Sequence, residues 1–145
     1  MHIALESPDQ ADIRSLIADL DRYQVALYPR ESNHLLDIKV LMQPHVLFAT
    51  ARDAARVAQG CAAVVLHQDF GELKRMFVRP QARGQGIASA LLSFLESQAL
   101  GRGCPVLMLE TGIRQPEAIA LYRRFGYTER PAFSGYDIDP LSVFM

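Results

Sequence analysis

Hydrophobic residues recur at helical spacing in three segments of the chain. The first helix is predicted after Ser7, Pro8 and Gln10, which would serve as its N-cap, first-turn proline and capping-box partner. The second helix is predicted over residues 86–100, and glycines follow its end. The third is predicted over residues 116–126, beginning at a proline and closing at a glycine.

Alternating or continuous apolar runs between these helices predict β-strands. The first run is "HIALES", and a meander follows in "VLFATA", "RVAQGCAAVVLH" and "FGELKRMFVRP", with the charged "RDAAR" as its first turn. Later come "PVLMLET", typical of a strand buried on both faces, and two final strands, "GYTER" and "LSVFM". The polar "YPRESNHLLD" is predicted as a loop or short helix that shapes a pocket. This order predicts an α/β fold, a mixed sheet with helices on its faces, in one domain over residues 1–145.

A glycine turn between strand and helix, within "VRPQARGQGIASALLSFLE", carries the clearest chemical signal. The first amides of a helix have no partners inside it and therefore attract anions. Gly84 and Gly86 make room for a phosphate near these amides, and Arg79 and Arg83 would add charge-assisted hydrogen bonds. The nucleotide motifs fit badly, because G-x-x-x-x-G-K-[ST] is missing and "GQGIAS" lacks the third glycine of G-x-G-x-x-G.

Charge and composition restrict the partners. Lys and Arg total 15 and Asp and Glu total 16, so the net charge of -1 gives no general attraction to nucleic acid or an anionic membrane. Cys61 and Cys104 form no close pair and favour a reducing compartment. The N-terminus lacks the pattern of a secretory signal, and no apolar stretch approaches the roughly 20 residues that span a bilayer. We therefore predict a soluble, cytoplasmic protein. The four histidines are dispersed and predict no metal site.

The glycine turn resembles a cofactor signature. The segment from Gln81 to Gly86 matches [QR]-x-x-G-x-[GA], the acetyl-coenzyme A motif of the GCN5-related N-acetyltransferase (GNAT) family. The resemblance extends from about Arg56 to Tyr127 and includes "EAIALYRRFGY", similar to the family's A-x-x-L-Y-x-x-x-G-[FY] ending. It implies a small, stand-alone bacterial-type member with a central, mostly antiparallel sheet of six to seven strands flanked by helices. It also implies direct acetyl transfer from acetyl-coenzyme A to an amine, without a covalent enzyme intermediate.

The resemblance also implies the cofactor contacts. A β-bulge in the strand from Glu72 to Val78 would direct backbone amides at the cofactor. Its contacts are expected along that strand, in the glycine turn and the next helix, and before and within the last helix: Met76, Phe77, Val78, Gln81, Arg83, Gly84, Gln85, Gly86, Ile87, Ala88, Gln115 and Tyr122. Gln115 stands near the position where the family often has Asn.

Two catalytic roles are carried over in the same way. Tyr122, at the family's tyrosine position, would protonate the departing thiolate, although its place on an apolar helical stripe equally suits packing. Glu72 aligns with a strand glutamate that serves as base in some members, but it would equally suit an ion pair with Lys74 or Arg75. Glu110 is the second candidate base, and ordered water is the third.

Acceptor contacts are expected in the front loop and near the last strand, at Tyr28, Glu31, His34, Glu110 and Tyr136. The acceptor is predicted to be the primary amine of a small molecule or amino acid. The alternatives are a peptide N-terminus or lysine, and a coenzyme A-binding sensor without turnover. The apolar terminal "SVFM" also predicts a homodimer through strand pairing.

Overall fold

The computed structural model describes residues 1–28, 38–133, 136 and 139–145. Its helices are α1 (Ala11–Leu27), α2 (Ile38–Leu41), α3 (Ile87–Gly101) and α4 (Pro116–Arg124), and a 3-10 turn covers Pro80–Ala82. Its strands are β1 (His2–Leu5), β2 (Val46–Arg52), β3 (Ala58–Leu66), β4 (Gly71–Val78), β5 (Leu107–Gly112) and β6 (Ser142–Phe144).

These strands form one six-stranded sheet in the order β1-β2-β3-β4-β5-β6. Every neighbouring pair is antiparallel except β4 and β5, which run parallel and are connected through α3. The predicted mixed α/β fold with a mostly antiparallel sheet is therefore confirmed. β6 lies at one edge of the sheet, and the homodimer through this edge stays a prediction.

The two long helices pack on opposite faces of the sheet. On one face, Leu91 and Leu95 of α3 contact a buried cluster that includes Val64 of β3. On the other face, Leu16 of α1 belongs to a cluster that includes Val65, the next residue of the same strand. Because successive side chains of a strand point to opposite faces, these clusters fix α1 and α3 across the sheet from each other. In the described ranges, no helix is long and apolar enough to cross a bilayer.

One predicted helix boundary and one predicted strand are wrong. The first helix begins at Ala11, because Ser7 is used in a preceding turn, where its Oγ accepts a hydrogen bond from the Asp9 N–H at 3.1 Å. The segment "GYTER" forms no strand. Its one backbone contact with β6 runs from the Arg130 N–H to the Phe144 carbonyl at 2.8 Å, and Pro131 next to it has no N–H with which to continue a ladder.

A buried ion cluster joins the first strands to the start of α1. The side chain of Arg52 is 8% exposed, and its Nη2 donates to Oε1 of Glu6 at 2.9 Å. Its Nη1 donates to Oδ2 of Asp12 at 2.7 Å. The Arg52 guanidinium lowers the pKa of Glu6 from 4.5 to about 2, and a hydrogen bond donated by Thr50 adds to this effect. A buried arginine is tolerated here because two carboxylates surround it.

We predict that Glu6→Gln lowers the free energy of unfolding by about 2 kcal/mol at pH 7, because Arg52 loses part of its charge compensation. Since the pKa of Glu6 is lower in the folded protein than in the unfolded chain, the stabilisation is complete above pH 4.5 and is lost as the pH falls towards 2. Urea unfolding across this range should show the two proteins converging at low pH. A constant difference at all pH values would contradict the assignment.

Candidate active site

The parallel strands β4 and β5 separate after a short paired stretch. Their register runs from Gly71 opposite Leu107 to Leu73 opposite Leu109 and then stops. A cleft opens between the strands beyond these pairs, and its walls come from β4, β5, α1 and the start of α4. It is lined by Leu20, Gln24, Tyr28, Leu73, Lys74, Arg75, Met76, Glu110, Thr111, Gly112, Gln115, Ala118, Tyr122 and Leu141.

A β-bulge lies in β4 beside this cleft, as expected. The register with β3 passes from Lys74 opposite Ala63 to Phe77 opposite Cys61, so β4 contains one extra residue. Arg75 in the bulge has a φ of 61°, in the left-handed region. Of the predicted cofactor contacts on this strand, Met76 lines the cleft, whereas the side chains of Phe77 and Val78 are buried in the core. A bulge at this place interrupts the ladder with β3, so that backbone groups of β4 beside the cleft are left without a ladder partner on β3.

The glycine turn that follows β4 has an open backbone surface. Gly84 and Gly86 both have a φ of 79°, which side chains rarely adopt, and a Cβ at either position would meet nothing within 4 Å. α3 begins at Ile87, and no side chain caps it. The amides of its first turn, including that of Ala88, have no partner within the helix. Space and unpaired donors therefore coincide at this turn.

The polar side chains of the turn do not fill this space. Gln81 and Gln85 are exposed. The Nε of Arg83 donates to the Val78 carbonyl at 2.9 Å, and its guanidinium lies 5.2 Å from the ring centre of Tyr23. Arg79 donates to Asp19 of α1 and, through Nε, to the Ala58 carbonyl at 3.2 Å. Both arginines are thus bound by protein acceptors, and the backbone presents the anion-attracting groups.

Tyr122 contacts the cleft from α4. Its side chain is buried, and its hydroxyl has no hydrogen-bond partner among the residues that the structure describes. Burial raises the pKa of the Tyr122 phenol above its usual value of 10. The phenol therefore stays protonated at neutral pH and is able to donate a proton into the cleft.

Glu72 does not itself line the cleft, and it belongs to a polar cluster with Lys74, which does. Its carboxylate is buried and accepts hydrogen bonds at Oε2 from Lys74 Nζ at 3.3 Å and from Tyr136 Oη at 2.5 Å. His67 Nε2 lies 3.7 Å from the other carboxylate oxygen. Burial first, and then the hydrogen bond to Glu72, raise the pKa of Tyr136. The ion pair of Glu72 with Lys74, considered above as an alternative, is present.

Glu110 does line the cleft. It lies on β5, and its Oε1 accepts a hydrogen bond from Ser142 Oγ of β6 at 2.8 Å. The two predicted carboxylates therefore differ: Glu110 contacts the cleft, whereas Glu72 forms an ion pair with Lys74, which lines it.

Tyr28 closes the cleft at the end of α1. Its hydroxyl accepts a hydrogen bond from the Arg114 N–H at 3.0 Å and donates one to Gln115 Oε1 at 3.5 Å. A Cβ on Gly112 would lie 1.8 Å from this hydroxyl, so residue 112 must be glycine while Tyr28 holds this position. The remaining predicted acceptor contacts, Glu31 and His34, lie outside the described residues.

Sequence reasoning missed three contributors to this region: Lys74 as a lining residue, Ser142 as a partner of Glu110, and Gly112 as the site that admits Tyr28. Only Gly112 had a local signal, since a glycine directly after an apolar strand often marks a close approach. Among the described residues, no group of three or more His, Cys, Asp or Glu side chains is placed to hold a metal ion.

Comparison with known proteins identifies the family. The acetyltransferase (GNAT) family model matches residues 13–127. An Azospirillum brasilense protein named IAA acetyltransferase is 48% identical over 145 residues, covering 99% of this chain and 94% of the relative. The chain therefore belongs to the GNAT family and is an N-acetyltransferase, which confirms the resemblance noted in its sequence.

Solved structures agree. A Klebsiella pneumoniae protein, provisionally named an acyl-CoA N-acyltransferase, has a TM-score of 0.84 and 43% identity, covering 99% of this chain and 94% of its own. The PaiA N-acetyltransferase of Thermoplasma acidophilum, solved in complex with coenzyme A, has a TM-score of 0.70 at 15% identity, with 99% and 97% covered, and shares the fold.

We predict that Gly112→Ala lowers the free energy of unfolding by about 1 to 3 kcal/mol, because the new methyl group overlaps the Tyr28 hydroxyl. Gly101→Ala is the matched control, since a Cβ there meets nothing within 4 Å. Thermal unfolding followed by circular dichroism should show a lower midpoint for Gly112→Ala only. Equal midpoints for the two variants would contradict the close packing of Tyr28.

Proposed function

We propose that the protein transfers the acetyl group of acetyl-coenzyme A directly to a primary amine of a small molecule or amino acid. The observation that carries this proposal is the meeting of the β4 bulge and Tyr122 of α4 at one cleft, with an open glycine turn between the end of β4 and the start of α3. Each supplies something that amine acetylation requires, namely a donor for the thioester oxygen, a seat for phosphate and an acid for the thiolate.

The cofactor seat fits the pyrophosphate of coenzyme A. The volume where a Cβ of Gly84 or Gly86 would lie is empty, and Gly86 directly precedes α3, whose first amides have no partner within the helix. Acetyl-coenzyme A supplies the acetyl thioester. The amides of the turn hold its phosphates, and the backbone of the bulge at Met76 donates to the thioester oxygen, where negative charge develops.

Proton transfer is divided between two side chains. The Tyr122 phenol, whose pKa burial raises above 10, is protonated at neutral pH, and it donates a proton to the departing sulfur. Glu110 accepts the proton of the amine, because its carboxylate contacts the cleft and is oriented by Ser142. Glu72 is the alternative base. Its present contacts with Lys74 and Tyr136 favour instead a role in fixing the wall of the cleft.

Direct transfer is favoured over an acetylated enzyme. The Cys61 thiol lies beside the bulge, with its Sγ 3.4 Å from the Arg75 carbonyl oxygen, but its side chain is fully buried. Burial raises the pKa of the Cys61 thiol to about 12, so that very little thiolate exists at neutral pH. The amine therefore attacks the thioester itself.

A small acceptor is favoured by the front of the cleft. Tyr28 lines the cleft and bridges from the end of α1 to Gln115 and to the Arg114 amide, so its ring occupies space beside Gly112 that a peptide would otherwise use. Polar groups on the walls, among them Lys74, Glu110 and Thr111, suit an acceptor with hydrogen-bonding groups beside its amine.

The proposal is tested by calorimetric titration with acetyl-coenzyme A, followed by thiol release with a panel of amines, amino acids and short peptides. Binding together with release that depends on a small amine supports the proposal. Release with peptides only would assign a peptide or protein acceptor. Binding without release would favour a coenzyme A sensor, and no binding would overturn the cofactor assignment.

We predict that Gly84→Val weakens acetyl-coenzyme A binding at least tenfold, because the side chain enters the phosphate seat and strains the left-handed backbone. Gly103→Val is the matched control, since Gly103 has the same φ of 79° in open space after α3. Both variants should lose about 1 to 2 kcal/mol of stability. Calorimetry should find weaker binding for Gly84→Val alone. Equal affinities in the two variants would contradict the assignment of the phosphate site to this turn.

We predict that Tyr122→Phe lowers turnover by about 100-fold or more while leaving acetyl-coenzyme A affinity within about twofold, because only the proton donor is removed. Tyr127→Phe is the control. Its ring packs against Tyr122 at a centroid distance of 5.9 Å, but its hydroxyl donates to Glu96, which does not line the cleft. Steady-state thiol release measures both variants, and wild-type turnover in Tyr122→Phe would assign Tyr122 to packing alone.

A further inference from the structure

Arg75 has an unusual backbone conformation for its position. Two non-glycine residues in the described ranges have a positive φ: Arg56 at 65° and Arg75 at 61°. Arg56 is exposed in the hairpin turn between β2 and β3, where such angles are common. Arg75 lies within β4, at the bulge beside the cleft. A non-glycine residue adopts this conformation inside a strand only where its surroundings hold it there.

Asp21 of α1 supplies such a contact. Its Oδ1 accepts a hydrogen bond from Arg75 Nη1 at 2.5 Å. The Arg75 side chain is 5% exposed, whereas that of Asp21 is 42% exposed. The guanidinium is therefore directed away from solvent and into contact with α1, and the ion pair connects the bulge to a helix that packs on the sheet.

Further contacts keep α1 at a fixed distance from β4. Asp19 binds Arg79 just after the bulge, and the ring of Tyr23 lies 6.2 Å from that of Phe77 and 5.2 Å from the guanidinium of Arg83. These contacts act on the strand and turn after the bulge. The contact of Asp21 acts on the residue with the left-handed backbone.

We propose that Asp21 is a positioning residue that acts through Arg75 to hold the β4 bulge in the geometry that presents the Met76 amide to the acetyl thioester. The inference rests on the proposed function, because it gives the bulge its role in cofactor binding. It concerns a residue of α1 that does not line the cleft.

Glycine provides the test, because it adopts a positive φ as readily as a negative one. In an Arg75→Gly background, the bulge no longer needs a side-chain contact to keep its conformation. Calorimetry with acetyl-coenzyme A therefore compares the wild type, Asp21→Ala, Arg75→Gly and the double variant. Asp9→Ala is the matched control, since Asp9 pairs with Arg14 on the exposed surface before α1.

Asp21→Ala should weaken acetyl-coenzyme A binding roughly tenfold, the effect of losing about one well-placed hydrogen bond. In the Arg75→Gly background, the same substitution should change the affinity less than twofold, and Asp9→Ala should leave it unchanged. An equal loss in both backgrounds, or no loss from Asp21→Ala, would overturn the proposal. A general weakening of the fold would appear in both backgrounds and is thereby distinguished.

A second measurement is independent of the cofactor. In the ligand-free protein, the nuclear magnetic resonance signal of the Met76 amide should shift in Asp21→Ala, and adding Asp21→Ala to Arg75→Gly should cause no further shift. An unmoved Met76 signal in Asp21→Ala would overturn the positioning role. If the wild type fails to bind acetyl-coenzyme A, the proposed function fails, and this signal still decides whether Asp21 controls the bulge.

Discussion

The separation of β4 from β5 is the constraint on which the site depends. Parallel pairing lasts only from Gly71 opposite Leu107 to Leu73 opposite Leu109. Beyond these residues, the backbone groups of the two strands do not pair with each other. The space between the strands is what a ligand with its own hydrogen-bonding groups requires. The sheet on either side supports the opening, since β3 holds β4 and β6 holds β5 through antiparallel ladders.

A second constraint on the sheet is that its inward-facing charges must be compensated. The carboxylates and cations of the sheet are arranged in local pairs: Glu6 with Arg52 at one end of the sheet, and Glu72 with Lys74 beside the cleft. Such pairs contribute little net stability compared with apolar packing, but each prevents a charge from being buried alone. In the second case, the pair also fixes a lysine at the wall of the cleft.

Local features of the structure were predictable from sequence, and long-range ones were not. α3 and the glycine turn depend on neighbouring residues, so periodicity and Gly84 and Gly86 were sufficient to place them. The start of α1 was predicted too early. Ser7 and Gln10 have the spacing of a capping box, but in the structure they make the hydrogen bonds of the turn that precedes the helix. The contact of Ser142 with Glu110 joins distant parts of the chain, and nothing in the local pattern specifies which residues meet.

The contact between Tyr28 and Gly112 has a consequence for how this site changes over evolutionary time. A larger residue at 112 is acceptable only once the tyrosine has been replaced by something smaller, since the two occupy adjoining volume. Mutations at these positions are therefore accepted in one order and rejected in the other. A lineage that first loses the tyrosine gains freedom to change residue 112, whereas one that keeps the tyrosine must also keep the glycine.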